Sequence, residues 1–358
     1  MLILYITYIS FGQAVSGSGV RPQKMYRAFL DEGHEVLLLA GSQNKAERVD
    51  RREQVEKVSS WLDNHTPDIC YIESPVYPIL WPEDHRLIRK VSEKGVPIGY
   101  FYRDFYWKFP EFYPRRTDLS GRLKDAYLDI MQRRTDKLLE LADIVYFPST
   151  AASEYFRYRD MRALPPAGEA GKLTGPGEEN TCIYVGGIEG DYGGRQLLEA
   201  FRLLNEGDET FRLILACREK EVGLIPEALR SAPWLEIHHT SGAGLDPLYA
   251  RASLAMIPVQ RNAYTDVSVN IKFFEYLSYG MPVASTDVTA IAALVRENGV
   301  GQVSGDSPAE IADNVRDMLS DPQRLENWRR QAAAALEQGN LWIHRARRVA
   351  EDLLEKKR

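Results

Sequence analysis

The sequence predicts an α/β protein with two doubly wound, Rossmann-like domains, and three observations support this prediction. Short apolar runs alternate with longer amphipathic runs, as strands and helices do in a parallel sheet. A segment rich in Pro and Gly, residues 164–177, interrupts the alternation. The alternation then begins again, and 358 residues are enough for two domains of ordinary size.

The first half of the chain contains four apolar runs that predict strands, at residues 1–9, 34–41, 67–72 and 96–101. Apolar residues at helical spacing predict the intervening helices, at residues 22–33, 47–64, 83–94 and 119–141. A polar loop that includes Gly17, Ser18 and Gly19 follows the first strand. Such a loop is compatible with a ligand site or with a plain tight turn.

The second half repeats the pattern, with strands predicted at residues 181–187, 211–217, 235–239, 254–259 and 283–286. Helices are predicted at residues 196–204, 247–252, 272–279 and 342–357. We therefore expect a first domain at residues 1–165, a linker at 166–179 and a second domain at 180–340.

The most informative stretch covers residues 268–283 and predicts a loop, a helix and a strand. Ser268 or Asn270 has the short polar side chain that caps a helix. The start of a helix binds phosphate well, because its free N–H groups and positive dipole end point outward. Glu275 lies one turn inside, where a carboxylate can accept hydrogen bonds from ribose hydroxyls. The expected phosphate-binding residues are Val269, Asn270 and Lys272, although an ordinary surface Glu in an αβ unit would give the same pattern.

The run Asn-Ile-Lys-Phe-Phe-Glu-Tyr-Leu-Ser-Tyr-Gly-Met-Pro-Val, at residues 270–283, resembles a known signature. It is similar to the C-terminal-domain motif of nucleotide-sugar glycosyltransferases of the GT-B fold, especially glycosyltransferase family 4. The resemblance implies two domains facing a cleft, with the donor bound by the second. It also implies that a C-terminal helix, residues 341–358, returns to the N-terminal, acceptor-side domain, and that the sugar keeps its anomeric configuration.

Three regions of the first domain also resemble family 4. Residues 142–150 resemble the Ala-Asp-x-Val strand that closes the N-terminal half in these enzymes. The run Ser-Gly-Ser-Gly at residues 16–19 resembles the glycine loop that approaches the donor phosphate and the acceptor. Many members have a His-Asp pair after the fourth strand. Here Arg103 takes the position of the His and Asp104 matches the Asp, and both are our catalytic candidates.

The second domain departs from the family pattern at the diphosphate and sugar positions. The Arg and Lys that usually hold the diphosphate correspond to Gly187 and Tyr192, which carry no charge. The cations expected to replace them are Arg195, Arg218 and Lys272. The first acid of the family's Glu-x₇-Glu pair falls at Val267, so Asp266, Thr265 and Ser268 are expected to hold the hydroxyls of the donor sugar.

Composition excludes several classes of function. A net charge of −6 argues against a nucleic-acid partner. The sequence has no Asp-x-Asp and no Cys/His cluster with metal spacing, so we expect a site without a metal, no cofactor, and a UDP- or GDP-sugar as donor substrate. Its three cysteines lie in apolar runs, and the chain opens directly into a strand. We therefore expect a cytoplasmic protein.

Residues 100–137 combine aromatic with basic side chains. Nine Lys and Arg oppose six Asp and Glu there, a local charge of +3 within a chain of −6. One interpretation is peripheral contact with the inner face of a membrane or with an anionic lipid-linked acceptor. The other is a solvated helix above core aromatics.

The combined observations favour a glycosyltransferase that acts on a polysaccharide, a glycolipid (lipid-linked sugar) or a small-molecule acceptor. A nucleotide-sugar epimerase of the same shape is one alternative, but His is sparse in the matching loops. A non-catalytic subunit that assists another glycosyltransferase is the second, and the departures from the family pattern keep it open.

Overall fold

The computed structural model describes residues 1–11, 17–76 and 78–357, and the chain divides into two compact units. The first unit comprises Met1–Pro165 and Trp342–Arg358, and the second comprises Pro166–Leu341. Each unit contains one parallel six-stranded sheet with helices packed against it. The predicted α/β class with two doubly wound domains is confirmed.

The first sheet has the strand order β2-β1-β3-β4-β5-β6, and all neighbouring strands are parallel. Its strands are β1 (Leu2–Thr7), β2 (Glu35–Leu39), β3 (Ile69–Glu73), β4 (Ile98–Phe101), β5 (Ile144–Phe147) and β6 (Met161–Ala163). The helices of this unit are α1 (Gly17–Asp31), α2 (Arg48–Asn64), α3 (Pro82–Glu93), α4 (Leu119–Leu139), α5 (Thr150–Ser153) and α13 (Trp342–Leu354).

Three features of the first unit differ from the prediction, and one is the short helix α5, which was not predicted. Helix α1 begins at Gly17, five positions before the predicted start at Pro22. The start was predicted at Pro22 because proline favours the first turn of a helix, whereas in the structure Pro22 lies inside α1 and cannot donate a backbone hydrogen bond there. Strand β6 was not predicted, because Met161–Ala163 is only three residues long and half-buried, too short to form an apolar run.

The C-terminal helix α13 packs in the first unit, against α1 and against strands β3 and β4. Its buried face includes Ala346, Val349 and Leu353. Gly99 of β4 makes room for this face, because a Cβ atom there would lie 2.9 Å from Leu353 Cδ1. This confirms the return of the chain that the resemblance implied.

The second sheet has the strand order β12-β11-β10-β7-β8-β9, again all parallel. Its strands are β7 (Thr181–Val185), β8 (Arg212–Ala216), β9 (Leu235–His238), β10 (Leu254–Ile257), β11 (Val283–Thr286) and β12 (Gly301–Ser304). The helices of this unit are α6 (Gly194–Leu204), α7 (Glu227–Arg230), α8 (Asp246–Arg251), α9 (Ile271–Ser278), α10 (Thr289–Asn298), α11 (Pro308–Leu319) and α12 (Pro322–Gly339). The five strands predicted here are present, whereas β12 and helices α7, α10, α11 and α12 were not predicted.

Two hydrophobic clusters cover the two faces of the second sheet. One contains Phe273 and Leu277 of α9, and the other contains Leu197 and Phe201 of α6. Alternate residues of the strands belong to alternate clusters, as the pleat of a sheet requires. Helices α9 and α6 therefore lie on opposite faces of the sheet.

Residues 166–179 belong to the second unit and contact the end of α9 and the residue that follows α12. The Gly168 N–H donates to the carbonyl of Asn340 at 2.8 Å, and the Glu169 N–H donates to Ser278 Oγ at 2.8 Å. Among the described residues, no helix has the length and apolar character that crossing a membrane requires.

Candidate functional site

The strand order places a ligand crevice in the second unit between β7 and β10. The chain leaves β7 toward β8 on one side and leaves β10 toward β11 on the other, so this pair is the point where the strand order reverses. In open parallel sheets, ligands bind beyond the carboxyl ends of the strands at such a point. Helices α6 and α9 follow β7 and β10, so both begin at this edge.

The start of α9 offers unpaired backbone donors. The Asn270 side chain caps the helix by accepting from the Lys272 N–H at 2.9 Å, which confirms Asn270 as the cap. Within the described residues, the N–H groups of Val269, Asn270 and Ile271 have no acceptor. Consecutive free N–H groups at a helix start bind anions such as phosphate, because the dipole adds to their partial charges.

Lys272 and Glu275 contact each other at the start of α9. Lys272 Nζ lies 2.7 Å from Glu275 Oε2, and both side chains remain partly exposed. The Tyr249 hydroxyl of α8 donates to Glu275 Oε1 at 2.7 Å. Burial and the Glu275 carboxylate raise the pKa of Tyr249 well above its ordinary value, so the phenol keeps its proton. Tyr249 therefore fixes one side of the carboxylate, and no sequence signal indicated it.

The loop after β7 packs closely on the loop after β10. Gly193, which has a φ of 76°, has no room for a side chain, because a Cβ atom would lie 1.6 Å from the Pro258 carbonyl oxygen. The Gln260 N–H donates to the carbonyl of Asp191 at 2.9 Å. These contacts hold the start of α6 at the crevice. Arg195, the second residue of α6, is exposed there.

Asp266 is engaged by protein groups on both oxygens. Its Oδ1 accepts from the N–H and the hydroxyl of Thr289 at 2.9 and 2.8 Å, and its Oδ2 accepts from Arg261 Nε at 3.2 Å. Burial opposes ionisation, but the bonds from Thr289 and Arg261 leave the pKa of Asp266 lowered. Ser268 Oγ donates to the Thr265 carbonyl at 3.2 Å. Binding of the donor sugar by Asp266, Thr265 and Ser268 stays a prediction.

Arg261 is a cation at this edge that the sequence analysis did not select. It lies in the loop after β10, half exposed, and its guanidinium also reaches Asp287 at 3.1 Å. Its position just after a predicted strand was the one feature of the sequence that could have marked it as a ligand-binding candidate. The two carboxylates around it leave less of its charge for a ligand than Lys272 has.

Arg218 follows β8, and its side chain pairs with Glu221 at 2.9 Å. Glu221 is buried, and its other oxygen accepts from the Ile188 N–H at 2.9 Å. A Cβ atom at Gly187 would lie 3.5 Å from the same carboxylate. Glu221 therefore shapes the loop after β7, and most of the Arg218 side chain stays accessible.

Metal-binding groups are sparse in the part of the chain that the structure describes. It contains no group of three or more His, Cys, Asp or Glu side chains arranged to hold a metal ion. His238 lies 3.3 Å from Glu236 Oε2, and His239 Nδ1 lies 3.0 Å from the Cys217 carbonyl oxygen. Both histidines therefore have local structural partners.

The catalytic candidates of the first unit lie just after β4. Arg103 Nε pairs with Asp104 Oδ2 at 3.0 Å, and both side chains are largely buried. The Arg103 N–H donates to Ser74 Oγ, just after β3, at 2.9 Å. The carboxyl end of the first sheet thus brings this pair next to β3. Gly17, Ser18 and Gly19 were predicted to form a loop, but they form the first turn of α1, and the rest of that loop, residues 12–16, lies outside the described residues.

A buried charged cluster at the carboxyl end of β3 was not selected from the sequence. Glu73 Oε1 accepts from Arg21 Nε at 3.0 Å and from the Tyr71 hydroxyl at 2.8 Å. The Arg21 guanidinium also lies 3.5 Å above the Phe101 ring. The other oxygen of Glu73 is buried without a hydrogen-bond partner.

A cavity of about 320 Å³ lies beside these loops, under helix α4. Its aromatic lining consists of Tyr106, Trp107, Phe112 and Tyr113, and its polar lining includes Arg115, Asp125, Asp129 and Gln132. The acids are held by neighbouring arginines, since Arg115 binds both oxygens of Asp129 at 3.0 and 3.1 Å. Aromatic faces with fixed polar groups between them suit a sugar ring, which has apolar faces and a polar edge.

Comparison with known proteins gives a family for the second unit and a fold for the whole chain. Residues 179–321 match the family described as "Glycosyl transferases group 1". No curated protein sequence matches the chain as a relative.

Three solved structures are similar over nearly the whole chain. Sucrose-phosphate synthase from Thermosynechococcus elongatus is 11% identical with a TM-score of 0.70, and the match covers 98% of each chain. HepE from Anabaena in complex with UDP is 15% identical with a TM-score of 0.69, covering 99% of this chain and 100% of that one. WaaG, a glycosyltransferase involved in lipopolysaccharide biosynthesis, is 15% identical with a TM-score of 0.63 and 99% coverage of both chains. The likeness shows the GT-B fold.

Proposed function

We propose that this chain, which carries a glycosyl transferases group 1 domain at residues 179–321 and has the GT-B fold, transfers a sugar from a nucleotide diphosphate to an acceptor hydroxyl. The domain match and the fold support a glycosyltransferase, and identities of 11% to 15% to the solved structures support a divergent one. In the reaction, the bond from the anomeric carbon to the diphosphate breaks and a bond to the acceptor oxygen forms. The diphosphate leaves with the bonding electrons, and the acceptor hydroxyl loses its proton.

The observation that supports the donor site best is the start of α9. Three successive N–H groups without an acceptor in the described part of the chain precede a lysine and a glutamate at the edge where strand order reverses. Phosphate oxygens suit the N–H groups and Lys272, and ribose hydroxyls suit Glu275. In a diphosphate leaving group, negative charge grows as the bond breaks, and fixed donors stabilise that charge.

In the absence of a donor, Lys272 and Glu275 form an ion pair with each other. The two side chains neutralise each other across 2.7 Å, so a bound diphosphate competes with Glu275 for the lysine. Glu275 keeps its position through Tyr249 when this happens, because the Tyr249 hydroxyl holds its other oxygen. We propose that Lys272 turns to the diphosphate while Glu275 receives the ribose.

On the acceptor side, we propose that Asp104 holds or deprotonates the acceptor hydroxyl, with Arg103 orienting its carboxylate. The cavity under α4 is the proposed place for a sugar of the acceptor. The acceptor classes are a polysaccharide, a lipid-linked sugar or a small molecule, with residues 100–137 forming a peripheral membrane contact at the inner face. WaaG acts in lipopolysaccharide biosynthesis, which is consistent with the first two classes. Retention of configuration and independence of metal are further parts of the proposal.

Titration calorimetry tests the donor site directly. The protein is titrated with UDP, GDP, CDP and dTDP in the presence of EDTA, with the matching nucleosides as controls for the phosphate contribution. We expect one diphosphate to bind with a clear preference and its nucleoside to bind at least tenfold more weakly. The sugars of that nucleotide are then screened for transfer, and the product anomer is assigned by NMR coupling constants. If none of the diphosphates binds, the donor site is not functional, and the non-catalytic subunit becomes the better interpretation.

A further inference from the structure

Helix α4 has an unusual outer face. Four large apolar side chains on it are 49% to 76% exposed: Leu119, Leu123, Tyr127 and Ile130. Their spacing of four, four and three residues places them on one side of the helix. The opposite side of α4, which includes Met131, Thr135 and Leu138, is buried. The helix is thus anchored by one face and exposes a continuous apolar stripe on the other, and we call this stripe the outer stripe.

Cations surround the outer stripe. Arg122, Lys124, Arg133, Arg134 and Lys137 are exposed or partly exposed, and none of them forms an ion pair with any residue that the structure describes. The acids of the helix are bound on its inner side. Asp125 accepts from Arg116, Asp129 from Arg115, and Asp136 from Gln132 and the Tyr158 hydroxyl. The outer face therefore presents five uncompensated positive charges around an apolar centre.

This combination is typical of a helix that lies in the plane of a membrane interface. The apolar side enters the boundary between headgroups and acyl chains, and the cations contact lipid phosphates. The 21 residues of α4 give it a length of about 31 Å. Its eight charged residues exclude a transmembrane position, because charge in the hydrocarbon core is costly.

We propose that the outer face of α4 binds an anionic lipid bilayer and thereby brings the glycosyltransferase to an acceptor held in that bilayer. A second copy of the chain fits this face less well, because pairing two outer faces would place five cations against five. An anionic surface supplies the missing charge and covers the apolar stripe at the same time. The inference deepens the proposed function, because it selects a lipid-linked acceptor. This choice of acceptor rests on the proposed function, whereas binding of α4 to a bilayer does not.

Vesicle sedimentation tests the inference with the intact protein. Vesicles contain either phosphatidylcholine alone or a mixture of phosphatidylcholine with phosphatidylserine, at low and high salt. We expect wild-type protein to bind the anionic vesicles at low salt, at least tenfold more strongly than the neutral ones. At high salt we expect most of this binding to disappear, because screening weakens the contacts of the exposed cations.

Two sets of substitutions separate the apolar from the charged contribution. The triple variant Leu119→Ser, Leu123→Ser, Ile130→Ser should reduce vesicle binding at least tenfold. The triple variant Arg122→Gln, Arg133→Gln, Arg134→Gln should reduce it by about a hundredfold at low salt, since one cation near an anionic surface contributes about fivefold. None of the six side chains is buried, so folding should be unaffected. The matched control is Lys45→Gln, Arg48→Gln, Lys57→Gln, which removes three exposed cations just before, at the start of and within α2, and it should bind as wild type.

The outcomes distinguish this inference from the proposed donor site. Wild-type protein that binds a nucleotide diphosphate but no anionic vesicle would overturn the inference and leave the donor site intact. Vesicle binding without nucleotide binding would support the interface and count against the enzyme. A dimer seen by light scattering that the Leu/Ile variant converts to monomer, with no vesicle binding, would assign the outer stripe to a second copy and overturn the inference. Nucleotide affinity should be equal in all three variants and the wild type.

Discussion

Replacing Glu275 by Gln changes the charge of the candidate donor site and little else. The amide has the shape of the carboxylate, and its carbonyl oxygen still accepts from the Tyr249 hydroxyl, which lies 2.7 Å away in the native chain. The substitution removes the ion pair with Lys272, which spans 2.7 Å between partly exposed side chains. A pair of this kind contributes about 0.3–0.5 kcal/mol on a helix. We therefore expect the free energy of unfolding to fall by less than about 1 kcal/mol.

The effect on nucleotide binding should be larger. A hydrogen bond to a charged group is worth about 1.5–3 kcal/mol and one to a neutral group about 0.5–1.5, so the bond from each ribose hydroxyl weakens by roughly 1 kcal/mol. Two such bonds weaken by about 2 kcal/mol in total, and release of Lys272 toward the diphosphate returns up to about 0.5 kcal/mol. The remaining cost of about 1.5 kcal/mol corresponds to roughly tenfold weaker binding.

The assay is titration calorimetry with the preferred nucleotide diphosphate and with its 2′-deoxy analogue. If Glu275 binds the ribose, the substitution should cost roughly tenfold with the ribonucleotide, or about 1.5 kcal/mol. With the deoxy analogue, which has one hydroxyl fewer, it should cost about 0.5 kcal/mol, or roughly twofold. The matched control is Glu199→Gln, which removes a carboxylate that pairs with Arg202 three residues away on α6. This control should leave both affinities unchanged.

Two results would refute the ribose role of Glu275. One is an unchanged affinity for the ribonucleotide, and the other is an equal decrease for the ribonucleotide and its deoxy analogue. The variant Glu275→Ala separates binding from folding in a second way. It leaves the buried Tyr249 hydroxyl without its acceptor, so we expect a decrease of about 1–3 kcal/mol in the free energy of unfolding in addition to weaker binding.

Three further predictions rest on the hydrogen bonds and ion pairs of named side chains. Lys272→Met should weaken binding of the diphosphate by about tenfold and leave binding of the nucleoside unchanged, because a lysine–phosphate contact is a charge-assisted hydrogen bond. Calorimetry that shows equal effects on both ligands would place Lys272 outside the phosphate site. Asp104→Asn should lower turnover by about a hundredfold with little change in donor affinity, and steady-state kinetics that show full activity would make Asp104 structural. The hydrogen bond from Arg251 lowers the folded-state pKa of Glu236 to about 2. Because this pKa is below the unfolded value, the stabilisation is present above pH 4.5 and disappears as the pH falls toward 2. Glu236→Gln should therefore flatten the decline of the urea midpoint across that window, and an unchanged decline would contradict the assignment.

The segment around α9 could be predicted to within one residue, because its limits depend on local chemistry. Asn270 caps the helix through its own side chain, and Gly280 takes a φ of 66° that few other residues adopt. The contact between Lys272 and Glu275 is equally local, since side chains three residues apart on a helix are neighbours. The family signature predicts the enzyme class, and residues 179–321 match the family described as "Glycosyl transferases group 1".

Contacts between distant parts of the chain could not be predicted in this way. Tyr249 reaches Glu275 from 26 residues away, and Thr289 engages Asp266 from 23 residues away. Strand β6 is too short to assign from the sequence. Helices α11 and α12 do carry local start signals, the capping box of Ser307 with Glu310 and the Asp321 cap, which the sequence analysis did not use. These contacts depend on how the sheet orders its strands, which no single segment encodes.

Helix α4 is the clearest example of a feature that the sequence alone could not decide. Its sequence has apolar residues on two sides: Leu119, Leu123 and Ile130 on one, and Met131 and Leu138 on the other. The periodicity determined that a helix would form, and the composition determined that it would be basic. Only the tertiary structure decided which side is buried, because burial depends on the shape of the neighbouring strands and loops. The side left exposed is the one to which we assign the bilayer.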